Sequence, residues 1–196
     1  MAKSDMKLLH LEWDEIQSLT EEIAVKVEQS GYEPDVIIAV SRGGFAPARI
    51  VCDILSVQRL ASVQIEYYEG VGERLRSPNI LFPLNTGIPG LSALVIDDVS
   101  DTGTSLKVAK DHVSSRGASE VRSATLHFKP WSRFRPDYYA EEVDAWIVYP
   151  WEVKETITSF VANLIDEGMT KGELRKDLIR LGYKPSSIDK YMGSFL

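Results

Sequence analysis

Val36-Ile37-Ile38-Ala39-Val40 is apolar at five consecutive positions and rich in β-branched side chains. Such a run suits a strand buried on both faces, as in a parallel sheet, rather than the alternating strand of a sheet with one wet face. A sheet of that kind needs helices on its faces, and the neighbouring sequence supplies them. Ile16, Leu19, Ile23 and Val27 form one stripe of a helix expected over about Asp14 to Glu28, stopped by Gly31. After the run, Ser41-Arg42-Gly43-Gly44 breaks the strand and Ala46 to Leu55 reads as a second helix. Ala61 to Ile65 and Leu91 to Ile96 read as further strands. A helix to about Ser115, with Leu106, Ala109 and Val113 on its face, leads to strands at Val121 to Phe128 and Val143 to Val148. Alternation of strand and helix predicts an α/β fold with a mostly parallel sheet.

Two stretches depart from that rhythm. Tyr68 to Gly90 contains Gly70, Gly72, Pro78, Pro83, Gly87, Pro89 and Gly90, which suits either a closing loop or a short hairpin pair. From Lys154 to Leu196 the pattern is wholly helical. Ile157, Phe160, Val161, Leu164 and Ile165 share a face, and Thr170 with Glu173 makes a capping box before Leu174, Leu178, Ile179 and Leu181. Ser186 and Asp189 open a third short helix. The expected organisation is one domain over 1–153 and a helical C-terminal extension over 154–196.

Charge and cysteine content narrow the functions. Lys and Arg number 22 against 29 Asp and Glu, a net charge of −7, which argues against a protein that coats nucleic acid or an anionic membrane. The extension is nearly balanced, too weakly basic to suggest DNA binding by itself. Cys52 is the single cysteine, so neither an internal disulfide nor a cysteine metal cluster can form. No apolar run approaches the ~20 residues of a membrane span. The first residues lack a signal-peptide pattern, and a cytoplasmic location is the expectation. His10, His112 and His127 show no metal-ligand spacing and read as non-catalytic.

The chemistry is concentrated where strands end. Asp97 and Asp98 follow the strand Leu91 to Ile96, which places two carboxylates at the carboxyl edge of the sheet, where open α/β folds bind ligands. Two adjacent acids fit sugar hydroxyls or a magnesium ion. Ser100, Thr102, Thr104 and Ser105 add hydroxyls, Gly103 admits a close approach of backbone, and the helix start offers N–H groups to an anion. Ser41-Arg42-Gly43-Gly44 is a second anion-type loop after the first buried strand. A ligand with phosphate at both ends of a sugar would engage both. Asp101-Thr102-Gly103 also matches the aspartic-protease triplet, but that chemistry needs two carboxylates in contact and the chain has one copy, set among helices. An aspartyl-phosphate enzyme would need a lysine and a second acid in a pattern the sequence lacks.

Leu94-Val95-Ile96-Asp97-Asp98-Val99-Ser100-Asp101-Thr102-Gly103-Thr104-Ser105 resembles the signature of the type I phosphoribosyltransferases, and the closer resemblance is to their 6-oxopurine branch. Trp13-Asp14, the loop Ser41-Arg42-Gly43-Gly44, Lys129-Pro130, Trp146-Ile147 and Pro150-Trp151 fall in the order that branch uses, over roughly Leu11 to Glu152. The resemblance implies a mostly parallel sheet with flanking helices and a small hood, the helical extension being an addition. It implies transfer of ribose 5-phosphate from 5-phosphoribosyl 1-diphosphate to guanine, xanthine or hypoxanthine, with Mg2+, in a homodimer. Asp97 and Asp98 would hold the ribose hydroxyls and the metal. Asp101 would take a proton from the purine, and Asp101, Thr102, Gly103, Thr104 and Ser105 would bind the 5-phosphate. Ser41, Arg42 and Gly43 would hold pyrophosphate, with a non-proline cis peptide near Ser41-Arg42. Lys129 would donate to O6 of the base, Trp146 would stack on it, and the Ile147 backbone would contact its 2-position edge. A lysine facing O6 favours an oxo group over the amino group of adenine. Rival readings are an adenine or pyrimidine acceptor, and a non-catalytic nucleotide sensor on the same fold.

Overall fold

The computed structural model describes residues 7–68, 77–165 and 169–192. In chain order the elements are β1 (Leu8–His10), α1 (Trp13–Gln29), β2 (Val36–Ser41), α2 (Phe45–Ile54), β3 (Leu60–Tyr68), β4 (Ser77–Phe82) and β5 (Ser92–Ser100). They continue with α3 (Thr104–Ser115), β6 (Glu120–Phe128), β7 (Tyr138–Glu142), β8 (Trp146–Val148), α4 (Val153–Ile165), α5 (Lys171–Arg180) and α6 (Pro185–Met192). Two compact units form: Asp14–Asp144, and the segments before and after it taken together.

The larger unit is built on a six-stranded sheet of order β4-β3-β2-β5-β6-β7, parallel except for the β3–β4 pair. The unbroken apolar run is β2, in the interior between β3 and β5. Its alternate residues Val36, Ile38 and Val40 pack with Val63, Ala93 and Val95 against Leu106, Ala109 and Val113 of α3. Ile37, Ala39, Leu94 and Ile96 point to the other face by the period of two, and they too are fully buried. α2 packs there against β2 and β5. Burial on both faces is what the β2 composition requires, and each fully buried Ile, Leu or Val contributes about 1.5–3 kcal/mol.

The expected elements are present, with additions and differences of extent. β1 (Leu8–His10) and β7 (Tyr138–Glu142) were not expected. β7 is an edge strand whose outer residues Glu141 and Glu142 are exposed, so it has no apolar run to betray it. β5, expected to end at Ile96, continues to Ser100. The strand expected over Val143 to Val148 covers only Trp146–Val148. Of the apolar residues after the capping box, Leu174 and Leu178 are buried, whereas Ile179 is 41% exposed. Of the two readings of Tyr68 to Gly90, the described parts form a hairpin: β3 runs on to Tyr68 and pairs antiparallel with β4. Residues 69–76, with Arg74 and Arg76, lie outside the described residues.

The smaller unit pairs β1 with β8 in parallel, with Leu8 opposite Trp146 and His10 opposite Val148. The terminal helices pack Ile157, Val161, Leu174, Leu178, Tyr183, Ile188 and Met192 together with Val148. The capping box is formed, with Thr170 accepting from the Glu173 N–H and Glu173 accepting from the Thr170 N–H. The side chains of Leu164 and Ile165 lie outside the described set. Arg175 grips Asp189 with two hydrogen bonds, 2.7 and 3.0 Å, which ties α5 to α6. His10 Nε2 donates to the Leu181 carbonyl at 2.8 Å, and the His10 ring meets Tyr183 edge-on, so this histidine is occupied with structure.

Asp137 fixes the entry to β7. It accepts from the Ser123 N–H at 2.8 Å, from the Ser123 hydroxyl at 2.7 Å and from Lys110 Nζ at 2.6 Å. Burial acts to raise its carboxyl pKa, but the hydrogen bonds from Lys110 and Ser123 outweigh burial and hold it below the usual carboxylate range. Asp137→Ala is expected to cost roughly 1–2 kcal/mol at neutral pH in a urea titration. Because the folded-state pKa lies below the unfolded one, this stabilisation is complete above the unfolded carboxyl pKa and is lost as pH falls through the folded value. The gap between wild type and variant should therefore close in acid. A gap that stays constant would show that the charge of Asp137 contributes nothing.

Candidate active site

β2 is followed by α2 and β3 on one side of it, whereas β5 is followed by α3 and β6 on the other. The carboxyl ends of β2 and β5 therefore flank the point where the sheet reverses its winding, the place where open α/β sheets leave a crevice for ligands. The register sets Ala39 opposite Ile96, so the turn Ser41 to Gly44 stands beside Asp97 and Asp98, which lie within β5 rather than after it, because the strand runs on to Ser100 and stays paired with β6.

The turn after β2 touches this acidic pair. A Cβ on Gly43 would lie 2.0 Å from Asp98 Oδ2, so only glycine admits this approach of the first loop to the acidic pair. The Ser41–Arg42 peptide is cis, as the resemblance implied. Arg42 is exposed at the turn, and Phe45 N–H donates to its carbonyl at 3.2 Å. Asp98 is 7% exposed. Asp97 accepts the Asp98 N–H at 3.0 Å, and Asp98 accepts the Val99 N–H at 2.8 Å. Each acid is thus held by the backbone next to it.

Beyond the acids, Asp101 and Thr102 are exposed and Gly103 caps α3 at φ +79°. Thr102 and Thr104 hydroxyls meet at 3.1 Å. The first turn of α3 carries no acidic residue, which leaves the positive end of the helix uncompensated by side chains of that turn.

Residues 129–135 form a strap along this loop. Lys129 N–H donates to Ser100 O at 3.1 Å and Arg133 N–H to Thr102 O at 3.1 Å. The Ser100 hydroxyl donates to Phe134 O at 2.8 Å and meets the Ser132 hydroxyl at 3.0 Å. Within the strap, Trp131 Nε1 donates to Asp101 Oδ1 at 3.0 Å. Lys129 sits at the strap's origin, 5% exposed, with its ammonium 5.5 Å from the centre of the Trp131 ring. Burial pushes its pKa down, while the charges of Asp101 and Asp144 work against that shift.

The structure therefore gathers Ser41, Arg42, Gly43, Asp97, Asp98, the loop Asp101 to Ser105 and Lys129 at one edge of the larger unit. Trp146 and Ile147 belong to the smaller unit. There Trp146 is 56% exposed, which rules out the reading of it as simple core, and Ile147 is buried. Sequence reasoning missed the strap, and Trp131 with it. The signal available was two aromatics, Trp131 and Phe134, between Pro130 and Pro136. Of the remaining candidates, His112 accepts the Leu84 N–H at 3.1 Å. His127 is fully buried in β6, where burial and then the nearby Lys129 push its pKa down to about 4. Cys52 is buried on α2.

A model of the phosphoribosyl transferase domain matches residues 12–157. The chain belongs to that family. Among phosphoribosyltransferase relatives, the xanthine-guanine phosphoribosyltransferase of Ruegeria sp. (strain TM1040) is 26% identical over 159 residues, covering 75% of this chain and 86% of the relative. That of Idiomarina loihiensis is 27% identical over 143 residues, covering 72% and 84%. The crystal structure of purine phosphoribosyltransferase from Pyrococcus horikoshii Ot3 superposes with a TM-score of 0.69 at 35% identity, covering 74% of this chain and 95% of that one.

Phosphoribosyltransferases as a family use Mg2+ with their donor. Among the described residues no group of three or more His, Cys, Asp or Glu side chains forms a metal cage. Two adjacent carboxylates at a crevice fit magnesium all the same, because that ion keeps several waters and takes one or two carboxylates together with substrate oxygens.

Gly103 offers a test of the strap. A Cβ there would stand 2.6 Å from Phe134 Cβ and 2.7 Å from Ser132 Oγ, at a backbone angle that costs other residues roughly 1–2 kcal/mol. Gly103→Ala should lower stability by at least about 2 kcal/mol in urea denaturation. Gly172→Ala on α5, where a Cβ meets nothing within 4 Å, should leave stability unchanged or slightly raised. Equal effects at the two positions would remove the strap from the account.

Proposed function

We propose that this chain transfers the 5-phosphoribosyl group from 5-phosphoribosyl 1-diphosphate to a 6-oxopurine, guanine, xanthine or hypoxanthine, and releases pyrophosphate. The observation that carries the reading is the approach of Gly43 to Asp98, which sets the anion-type turn after β2 against the acidic pair of β5 at the switch point of the sheet. The relatives' names support the purine acceptor. The family match ends at residue 157, which supports 1–153 as the transferase and 154–196 as an extension to it. A cytoplasmic homodimer that binds neither nucleic acid nor membrane completes the proposal. Among the described residues no helix is long and apolar enough to cross a membrane.

The reaction breaks the bond from the anomeric carbon to a pyrophosphate oxygen and forms a bond from that carbon to N9 of the base. Positive charge grows on the sugar while negative charge grows on the leaving group. Arg42 and the backbone of Ser41 to Gly43 receive the pyrophosphate. Asp97 and Asp98 accept hydrogen bonds from the ribose hydroxyls, and are the residues that would hold Mg2+. When bound, that ion supplies positive charge to the pyrophosphate oxygens. The N–H groups and hydroxyls of Asp101 to Ser105 hold the 5-phosphate at the start of α3. Asp101 takes the proton that the purine loses. Lys129, poor in solvent, donates to O6, an acceptor that adenine replaces with a donor. Trp146 and Ile147 keep the purine-contacting roles that the resemblance implies.

Asp101→Asn should cut turnover by on the order of a hundredfold, with donor affinity nearly unchanged, in an assay of labelled donor against a panel of bases. Full turnover in that variant would dismiss Asp101 as proton acceptor. Lys129→Ala should raise KM for guanine or hypoxanthine by about tenfold or more. An equal loss with adenine would undo the specificity argument. A chain that binds donor yet makes no nucleotide with any base would be a sensor.

A further inference from the structure

We infer that Trp131 is a positioning residue for Asp101, holding its carboxylate in the orientation that receives the purine proton. The inference rests on the reading of Asp101 as proton acceptor and goes beyond it. Asp101 lies on an exposed turn, where an aspartate would ordinarily sample several rotamers. Trp131 Nε1 donates to one of its oxygens, Oδ1, at 3.0 Å. The indole is itself 53% exposed, so burial of its ring is a poor reason for its presence. A tryptophan earns its place there through the N–H and through the ring face, which lies 5.5 Å from the Lys129 ammonium.

One side chain therefore touches both the residue assigned to the proton and the residue assigned to O6. It can hold them in fixed relation because its backbone does not swing. Lys129 N–H is bonded to Ser100 O, Ser132 N–H to Lys129 O and Arg133 N–H to Thr102 O, at 2.9–3.1 Å. The Ser132 hydroxyl and the Phe134 carbonyl both bond Ser100. The close fit of Gly103 under Ser132 and Phe134 sets the distance between strap and loop. With Oδ1 held by the indole, Oδ2 is the oxygen that accepts the proton, and its placement precedes arrival of the base. Such preorganisation speeds the chemical step and leaves binding nearly untouched.

The test is a double-mutant cycle on the full chain, with Mg2+, 5-phosphoribosyl 1-diphosphate and guanine, read as the single-turnover rate of nucleotide formation. Trp131→Phe keeps an aromatic face toward Lys129 and removes the N–H. It should slow the single-turnover rate on the order of tenfold while donor and base affinities stay within about twofold. On the Asp101→Asn background the same change should cost nothing more. If Trp131→Phe is as fast as wild type while Asp101→Asn is slow, the inference falls and the role of Asp101 stands. If the two losses multiply, Trp131 acts otherwise than through Asp101 and the inference falls as well. Poor folding of the variant would lower both backgrounds alike, so it too would give multiplied losses. Full speed in Asp101→Asn would instead remove the reading beneath the inference.

Discussion

Everything at the crevice depends on the contact between Gly43 and the carboxylate of Asp98. Two loops that leave different strands can serve one ligand only if they stand close together. Here the spacing is set by the absence of a single methyl-sized group. Parallel pairing of β2 and β5 brings the strands to one edge in register, and the missing Cβ lets the turn after β2 close on the acidic pair of β5. Gly44 repeats the device one residue later, where a Cβ would lie 2.3 Å from the Ile96 carbonyl. That second approach seats the start of α2 against β5. The arrangement is steric first and electrostatic second: close packing carries an acidic pair and an anion-type loop to within contact distance.

The strap plays the corresponding part on the other side. Its Ser132 hydroxyl and Phe134 carbonyl bond Ser100 at the end of β5, its Arg133 and Trp131 N–H groups bond the loop that follows, and Gly103 again permits the approach. Both loops are therefore braced from outside the segments that carry their recognisable residues. A phosphate-binding turn read in isolation contains the donors but not the reason they keep their positions.

This difference explains what was legible in the sequence. β2, β5 and α3 were readable because their own composition states their environment: unbroken apolar residues for burial on two faces, a 3.6-residue stripe for burial on one. The capping box at Thr170 is local and was readable for the same reason. β7 was not, since its exposed glutamates and single-sided burial carry no run and its partner sets its conformation. The loops at the crevice were recognised by residue type, but the contact of Gly43 with Asp98 arises from strand order, which no local pattern encodes. Trp131 was missed because its partner lies thirty positions away along the chain.

The pairing of β1 with β8 has a consequence for how the molecule is made. Residues 8–10 leave the ribosome before the six-stranded unit, but their partners at 146–148 emerge only after that entire unit has been synthesised. The first strand must therefore wait, unpaired, while its neighbour downstream folds around a core of its own. The smaller unit is closed by the segment from Ala145 onward, and its assembly reports that translation has passed that point.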